Sequence, residues 1–236
     1  MTRRCSQHLN AVALASLVVG CWLMPSLVGI HAAHAQDNTA NLCGNPFVNH
    51  FGPWDYRSTR KQDLEIVERI HFTPGIETMT RPGTTMMHDM AQDVAYTLGV
   101  FPNHHRALIT MQRLSEKHKA DPPPGTNRSV ECWFDRAIRF RPDDTVVRAL
   151  FAMFLNKQNR KADALNQLDV AVGHAKDNPF SHYNLGLMYL ELGEHDKALA
   201  QAHRAMALGM SRTELADQLK RAGKWVEPAS VGTTPP

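Results

Sequence analysis

The stretch NPFSHYNLGLMYLELGEHDKALAQAHRAMALG, residues 178–209, decides the fold of this chain. Apolar and small residues recur in it at the three- and four-residue spacings of two amphipathic helices, with Gly193 at the turn between them. Asn178 before Pro179 is typical of a helix start, because an N-cap asparagine accepts from the first turn and proline fits the first helical position. The stretch therefore predicts a helical hairpin.

The same pattern occurs 34 residues earlier, in TVVRALFAMFLNKQNRKADALNQLDVAVGHAKDN, residues 145–178. The offset pairs Ala152 with Gly186, which predicts a position where helices approach closely. Asn159 stands where the second unit has its turn glycine, and asparagine is the next best residue for a left-handed turn. A fixed period of this length predicts stacked helical hairpins.

Residues 179–212 closely resemble a tetratricopeptide repeat. The positions that carry the resemblance are Leu185, Gly186, Tyr189, Gly193, Ala198 and Ala205. His182 departs from the pattern, because the family usually has tryptophan there. The resemblance implies an all-α fold, an α-solenoid of helical hairpins, whose first helices line a concave binding face.

The period also divides the rest of the chain. SVECWFDRAIRFRPDD, residues 129–144, aligns with the second helix of a repeat, so an earlier repeat precedes it. Residues before position 85 lack the period and are rich in turn formers and aromatics. The predicted segments are an irregular N-terminal appendage over 36–84, a helical array over 85–225 with clearest repeats at 145–178 and 179–212 and an earlier one at about 104–144, a capping helix over 211–225, and a disordered tail over 226–236.

The first 35 residues have the pattern of a secretory signal peptide: two arginines, an apolar run over 11–30 and a small-residue cleavage site, AHA, that ends at Ala35. Cleavage after Ala35 predicts a periplasmic or secreted protein. The alternative is a lipoprotein, because VVGC, ending at Cys21, resembles a lipobox. Membrane association is expected only if Cys21 is lipidated.

Export changes the cysteine count. The chain has four cysteines, and loss of the leader leaves Cys43 and Cys132. Two cysteines in an oxidising compartment predict one disulfide, which would tie the appendage to the helix that begins near Ser129. The alternative is a pair of buried free thiols. Loss of the leader also lowers the formal charge from +3 to about +1, which gives no basis for nucleic-acid binding.

The resemblance also implies a partner-binding groove. By the family's pattern its positions are Ala149, Met153, Asn156, Tyr183, Leu187 and Leu190. An apolar strip with one aromatic suits an amphipathic helix or extended peptide. We therefore expect a protein or peptide partner, with the chain acting as a scaffold or assembly factor in the bacterial envelope. The alternative is that residues 36–84 cover this strip.

Several family members hold the C-terminal carboxylate of chaperones with asparagine and lysine. Only Asn184 of that clamp is present here, so this class of partner is not expected. The segments from Cys43-Gly44 through FGPWDYR to CWFDRAIRFRPDD also resemble a group of exported proteobacterial proteins that join such an appendage to tetratricopeptide repeats. That resemblance supports the segmentation and implies no particular chemistry.

A copper- or zinc-handling protein is the alternative function. Imidazole and thioether ligands suit copper, and the candidate residues are Met86, Met87, His88, Met90, His104 and His105. Adjacent histidines on a helix point about 100° apart, so we assign no metal ligands and expect His104 and His105 to cap or pack at a helix start.

Catalytic motifs are not found in the chain. Gly-x-Ser-x-Gly, His-Glu-x-x-His and glycine-rich phosphate loops do not occur. Asp55 and Arg57, in the aromatic part of the appendage, are expected to form a structural ion pair rather than a ligand site. The sequence therefore predicts no enzyme and no cofactor.

Overall fold

The computed structural model describes residues 42–80 and 87–228, and this part of the chain is all-helical, without strands. Its ten helices are α1 Lys61–His71, α2 Pro74–Glu77, α3 Met87–Val100, α4 His105–His118, α5 Val130–Phe140, α6 Thr145–Lys157, α7 Lys161–Ala175, α8 Pro179–Glu191, α9 His195–Ala207 and α10 Glu214–Arg221. The predicted signal peptide and the end of the predicted tail lie outside the described residues. None of these helices combines the length and apolarity that a membrane span requires.

Polar side chains cap the starts of α5, α6 and α8, and the cap at Asn178 is the one that the sequence predicts. The Asp144 carboxylate accepts from Val147 N–H at 3.2 Å at the start of α6, and Asn178 accepts from Ser181 N–H at 3.1 Å at the start of α8. Ser129 accepts from Cys132 N–H at 3.2 Å and begins α5. Each cap satisfies a backbone donor that has no partner within the helix.

The two predicted left-handed turns are also present. Asn159, between α6 and α7, has a φ of 60°, and Gly193, between α8 and α9, has a φ of 76°. A backbone in this region reverses the chain within a few residues, and asparagine tolerates it better than most residues with a side chain. Helices α6 and α7 pack on each other after the first turn, as do α8 and α9 after the second.

One hydrophobic cluster extends from Phe72 in the N-terminal segment to Leu219 in α10. Near its middle, the Phe134 ring of α5 stacks on Phe151 of α6 with centroids 5.2 Å apart. Helices α4, α6, α8 and α10 each contact the next of these four, in addition to the helices adjacent in sequence. The core is therefore shared between neighbouring helices along the chain.

Gly186 provides the close approach that the repeat pattern predicts, and it does so toward more than one helix. A Cβ atom at this position would overlap Leu215 Cδ2 of α10 and would lie 3.3 Å from Gln201 Cβ of α9. Leu215 is 1% exposed. The glycine therefore admits the last helix into the core as well as the partner helix of its own hairpin.

Two helices differ from the predictions. Helix α10 begins at Glu214 and ends at Arg221, within the range of 211–225 expected for the capping helix, and its N-cap residue Thr213 makes no side-chain cap hydrogen bond. The short helix α2 was not expected. Thr73 caps it and Pro74 occupies its first position, a start signal within a segment that shows no helical period.

The predicted disulfide between Cys43 and Cys132 is confirmed. It joins residues 89 apart in sequence, with Cα atoms separated by 4.9 Å. Cys132 lies in the first turn of α5, whereas Phe134 and Ala137 of the same helix point into the core. The disulfide therefore attaches the beginning of the described chain to the side of α5 that does not face the core.

Candidate functional site

The six predicted groove positions lie on two neighbouring helices, α6 and α8. Spacings of three and four residues place each set on one helix face. Five of the six are half-buried: Ala149, Met153, Asn156, Leu187 and Leu190. Thr145 Oγ1 and Ser181 Oγ lie 3.5 Å apart where the two helices begin, and Met153 and Asn156 share a small crevice with Met188 of α8.

Tyr183, the sixth position, is 2% exposed, so its expected exposure was wrong. Its hydroxyl donates to Glu214 at 3.3 Å, and the guanidinium of Arg212 lies 5.8 Å from its ring centroid. Both contacts come from the segment around the start of α10, because this helix packs beside α8. Burial raises the pKa of the Tyr183 hydroxyl.

Two more exposed apolar residues, which the sequence analysis missed, lie at the beginnings of the same helices. Phe180 is 57% exposed and Val146 is 42% exposed. They are 34 residues apart and each is the second residue of its helix, so the repeat offset could have identified them. We call Val146, Ala149, Met153, Phe180, Leu187 and Leu190 together the α6/α8 face.

A cluster of polar residues, separate from the α6/α8 face, joins the appendage to the turns before α4 and α6. Asn103 is fully buried at its centre: it accepts from Tyr56 N–H at 2.9 Å and donates to Asp55 at 2.8 Å and to Asp144 at 2.9 Å. His105 Nε2 lies 2.9 Å from an Asp144 oxygen. These bonds place the appendage against the helix starts.

Asp55 and Arg57 form the structural ion pair that the sequence predicts, with 2.8 Å between Arg57 Nη2 and Asp55 Oδ2. Arg57 Nη1 also reaches Asp143 at 3.1 Å, and Arg141 Nε reaches Asp55 at 2.7 Å. Burial opposes ionisation of Asp55, but hydrogen bonds from Arg57, Asn103 and Arg141 outweigh it and hold its pKa far below the usual value. The arrangement is suited to attachment.

His104 and His105 have separate partners. His104 is fully buried, its Nδ1 accepts from Ala107 N–H at 3.1 Å, and its Nε2 therefore donates to Glu68 at 3.0 Å. Burial lowers the pKa of His104, with the Glu68 hydrogen bond acting against it. Capping and packing at a helix start, as predicted for this pair, account for both imidazoles.

The residues proposed for the metal-handling alternative lie partly in the core and partly outside the described residues. Met90 is 4% exposed in the hydrophobic core. Met86, and the side chains of Met87 and His88, lie outside the described residues. Among the residues that the structure describes, no group of three or more histidine, cysteine or acidic side chains is placed to hold a metal ion.

Three arginines that the sequence analysis did not single out surround the disulfide. Arg128 Nε and Arg136 Nη1 both donate to the carbonyl oxygen of Cys43 at 3.3 Å, and Arg139 Nη2 donates to Gly44 O at 2.8 Å. Their sequence signal is a set of basic residues within seven positions of Cys132, of which Arg136 and Arg139 lie on α5 and Arg128 just before it.

Comparison with known proteins gives no assignment, since no protein-family model and no curated protein matches this chain.

Proposed function

We propose that this chain is an exported tetratricopeptide-repeat protein that binds a protein or peptide of the bacterial envelope on its α6/α8 face and acts there as a scaffold or assembly factor. The observation that carries the proposal is the exposure of Phe180 and Val146 at the end of a half-buried apolar strip. Contiguous apolar surface of this kind is typical of an interaction site, and aromatic residues often anchor one.

The helix packing supports the repeat interpretation. The 34-residue period coincides with two packed helix pairs, α6 with α7 and α8 with α9. Contacts among α4, α6, α8 and α10 are those expected if the first helices of successive hairpins share one layer. In such an array the α6/α8 face belongs to the surface that first helices present to a partner.

The disulfide supports export, because such bonds form and persist in oxidising compartments. We expect cleavage after Ala35 and a periplasmic or secreted protein without bound cofactor or catalytic activity. Mass spectrometry of the exported chain tests this: Gln36 should be its first residue. A diacylated Cys21 would instead support the lipoprotein alternative and place the protein on a membrane.

Site-specific photocrosslinking in cells tests the binding face. A photoreactive residue at Phe180 or Met153 should give discrete adducts with a partner that mass spectrometry then identifies. The matched control is Val170, an apolar residue on α7 that is 37% exposed and outside this face. Equal adducts at Val170, or the absence of adducts at both test positions, would contradict the proposal.

A charge on the face gives a second readout. Phe180→Asp should abolish the adduct formed from Met153, because a carboxylate placed against an apolar partner loses hydration without compensation. Helicity and the melting temperature should stay close to wild type, since the Phe180 side chain is mostly in solvent. An unchanged Met153 adduct in this variant would show that Phe180 is not part of the binding face.

A further inference from the structure

The Cys43–Cys132 disulfide lies in the wall of an open cleft of about 600 Å³. The cleft runs between α5 and α7, and Phe151 and Leu155 of α6 are at its base. Asn166 of α7, which is exposed, lines the opposite wall. Both sulfur-bearing residues therefore border a space that a second molecule can enter.

The position of Cys132 favours a thiolate at its sulfur. Cys132 is the third residue of α5, and its N–H already donates to the Ser129 cap. Backbone N–H groups in a first helical turn carry partial positive charge, which lowers the pKa of a cysteine thiol. Many helix starts share this property, so it does not by itself mark a reactive cysteine. The surroundings of Cys43 provide a second, independent observation.

Arg128 and Arg136 place two guanidinium groups beside Cys43. Arg136 is 4% exposed, and its Nε has no hydrogen-bond partner. Neither arginine forms an ion pair with a carboxylate in the described part of the chain. Burial first, and then the charges of Arg128 and Arg139, lowers the pKa of Arg136 to about 10. A buried cation without a counter-ion is costly, so an anion at Cys43 would be stabilised here.

The acidic residues around the cleft are already paired. Arg139 binds Asp135 at 2.6 Å, and Arg160 binds Glu131 at 2.8 Å and Asp163 at 2.7 Å. These pairs cancel much of the charge on the cleft side. The uncompensated charge next to the disulfide is that of Arg128 and Arg136, and it is positive.

We propose that Cys43–Cys132 is a thiol–disulfide exchange site whose substrate is a protein dithiol that enters the cleft between α5 and α7. The incoming thiolate attacks Cys132 Sγ, the sulfur–sulfur bond breaks, and Cys43 leaves as a thiolate beside Arg128 and Arg136. The second thiol of the substrate, once deprotonated, attacks the substrate sulfur that is bonded to Cys132. This forms the substrate disulfide and releases Cys132 as a thiolate. The substrate leaves oxidised, and the two cysteines are reduced.

The assignment of the leaving sulfur follows from the charges. A thiolate leaves faster in such an exchange when positive charge lies near it, and Arg128 and Arg136 lie at the Cys43 carbonyl oxygen. Cys43 is 7% exposed whereas Cys132 is half-buried, so Cys132 is also the easier sulfur to reach.

Reduction kinetics of the folded protein test the role of the arginines. Dithiothreitol should reduce the wild-type disulfide without denaturant, and Arg128→Gln with Arg136→Gln should slow this about five- to tenfold by making Cys43 a poorer leaving group. Arg113→Gln, an exposed arginine on α4, is the matched control and should have no effect. Circular dichroism establishes that each variant is folded. Equal rates in the double variant and wild type would overturn the proposal.

A bulky substitution tests entry through the cleft. Asn166→Trp narrows it at an exposed position, so reduction by thioredoxin, a protein dithiol, should slow about tenfold whereas reduction by dithiothreitol should change less than about twofold. Ala162→Trp, at an exposed α7 position that does not line the cleft, is the control. A wild-type disulfide that thioredoxin reduces only after denaturation would also overturn the proposal.

Discussion

Asn103 donates a hydrogen bond of 2.9 Å to Asp144, which lies 41 residues later and caps α6. The same amide group donates to Asp55 of the appendage. One buried asparagine therefore joins three segments that are distant in sequence: the appendage, the turn before α4 and the start of α6.

Replacing Asn103 with alanine should destabilise the protein by about 3 kcal/mol, because Asp55 and Asp144 each lose a donor and Tyr56 N–H loses its acceptor. Urea denaturation measures the loss. Asn184→Ala, at an exposed position on α8, is the control and should stay within about 0.5 kcal/mol of wild type. A small effect at Asn103 would mean that water replaces its bonds without cost.

The attachment of the appendage should weaken in acid. The folded-state pKa of Asp55 lies far below the usual value near 3.8. Its contribution to stability is therefore complete above about pH 5 and is lost progressively as the pH falls through the unfolded-state pKa toward the folded-state pKa. Asp55→Asn removes the charge at all pH values, so its stability difference from wild type should shrink between about pH 5 and pH 3. A difference that does not change across this range would show that ionisation of Asp55 is unimportant.

Alanine substitutions at two helical glycines distinguish the effect of packing from the effect of helix propensity. Gly186→Ala should destabilise the protein by about 1–3 kcal/mol, because the new methyl group collides with buried Leu215. Gly173→Ala on α7 should be stabilising by about 0.5–1 kcal/mol, since a methyl group added there would have no neighbour within 4 Å and alanine favours the helix. Thermal unfolding of both variants provides the comparison. A neutral Gly186 variant would show that Leu215 moves aside freely.

The features that could be predicted from sequence are those set by local chemistry. Asn178, which precedes Pro179, caps the helix start that this pair predicts, and Asn159 occupies the left-handed position of the turn that the repeat offset identifies. The number of cysteines expected after export was enough to predict the bridge. Each of these inferences needs only a few neighbouring residues or a count.

The features that sequence could not supply depend on segments far apart in the chain. Asn103 carries no local sign of its three partners, and the burial of Tyr183 depends on where α10 packs. The repeat pattern places Tyr183 on the binding face of α8, but α10 packs over this part of α8 and buries the side chain. The sequence predicts a capping helix over 211–225, but the pattern of two hairpins does not indicate which residues of α8 that helix covers.

Tyr183 and Phe180 should respond differently to the same substitution. Tyr183→Glu should cost roughly 3 kcal/mol or more, because it places a carboxylate in a position that is 2% exposed and beside Glu214. Phe180→Glu should leave the unfolding midpoint almost unchanged. Guanidinium denaturation of both variants tests the packing of α10 over α8. Equal midpoints would mean that Tyr183 is not covered in solution.

Removing the disulfide should loosen one part of the appendage more than another. Cys43→Ser with Cys132→Ser opens a loop of 89 residues, for which chain entropy predicts a loss of about 4–5 kcal/mol. Residues 54–57 keep their bonds to the turns before α4 and α6, with Trp54 N–H donating to Val100 O at 2.9 Å. The arginine contacts alone then hold residues 43–44, so this end should open first.

Hydrogen exchange measured by mass spectrometry locates that opening. In the double serine variant, amides of residues 42–50 should exchange faster than in wild type, while those of residues 54–57 change little, because Asp55 still binds Arg57, Asn103 and Arg141. Reduced wild type should behave like the variant, which excludes an effect of the serine hydroxyls. Faster exchange throughout both segments would instead mean that the disulfide holds the whole appendage and that the buried polar cluster depends on it.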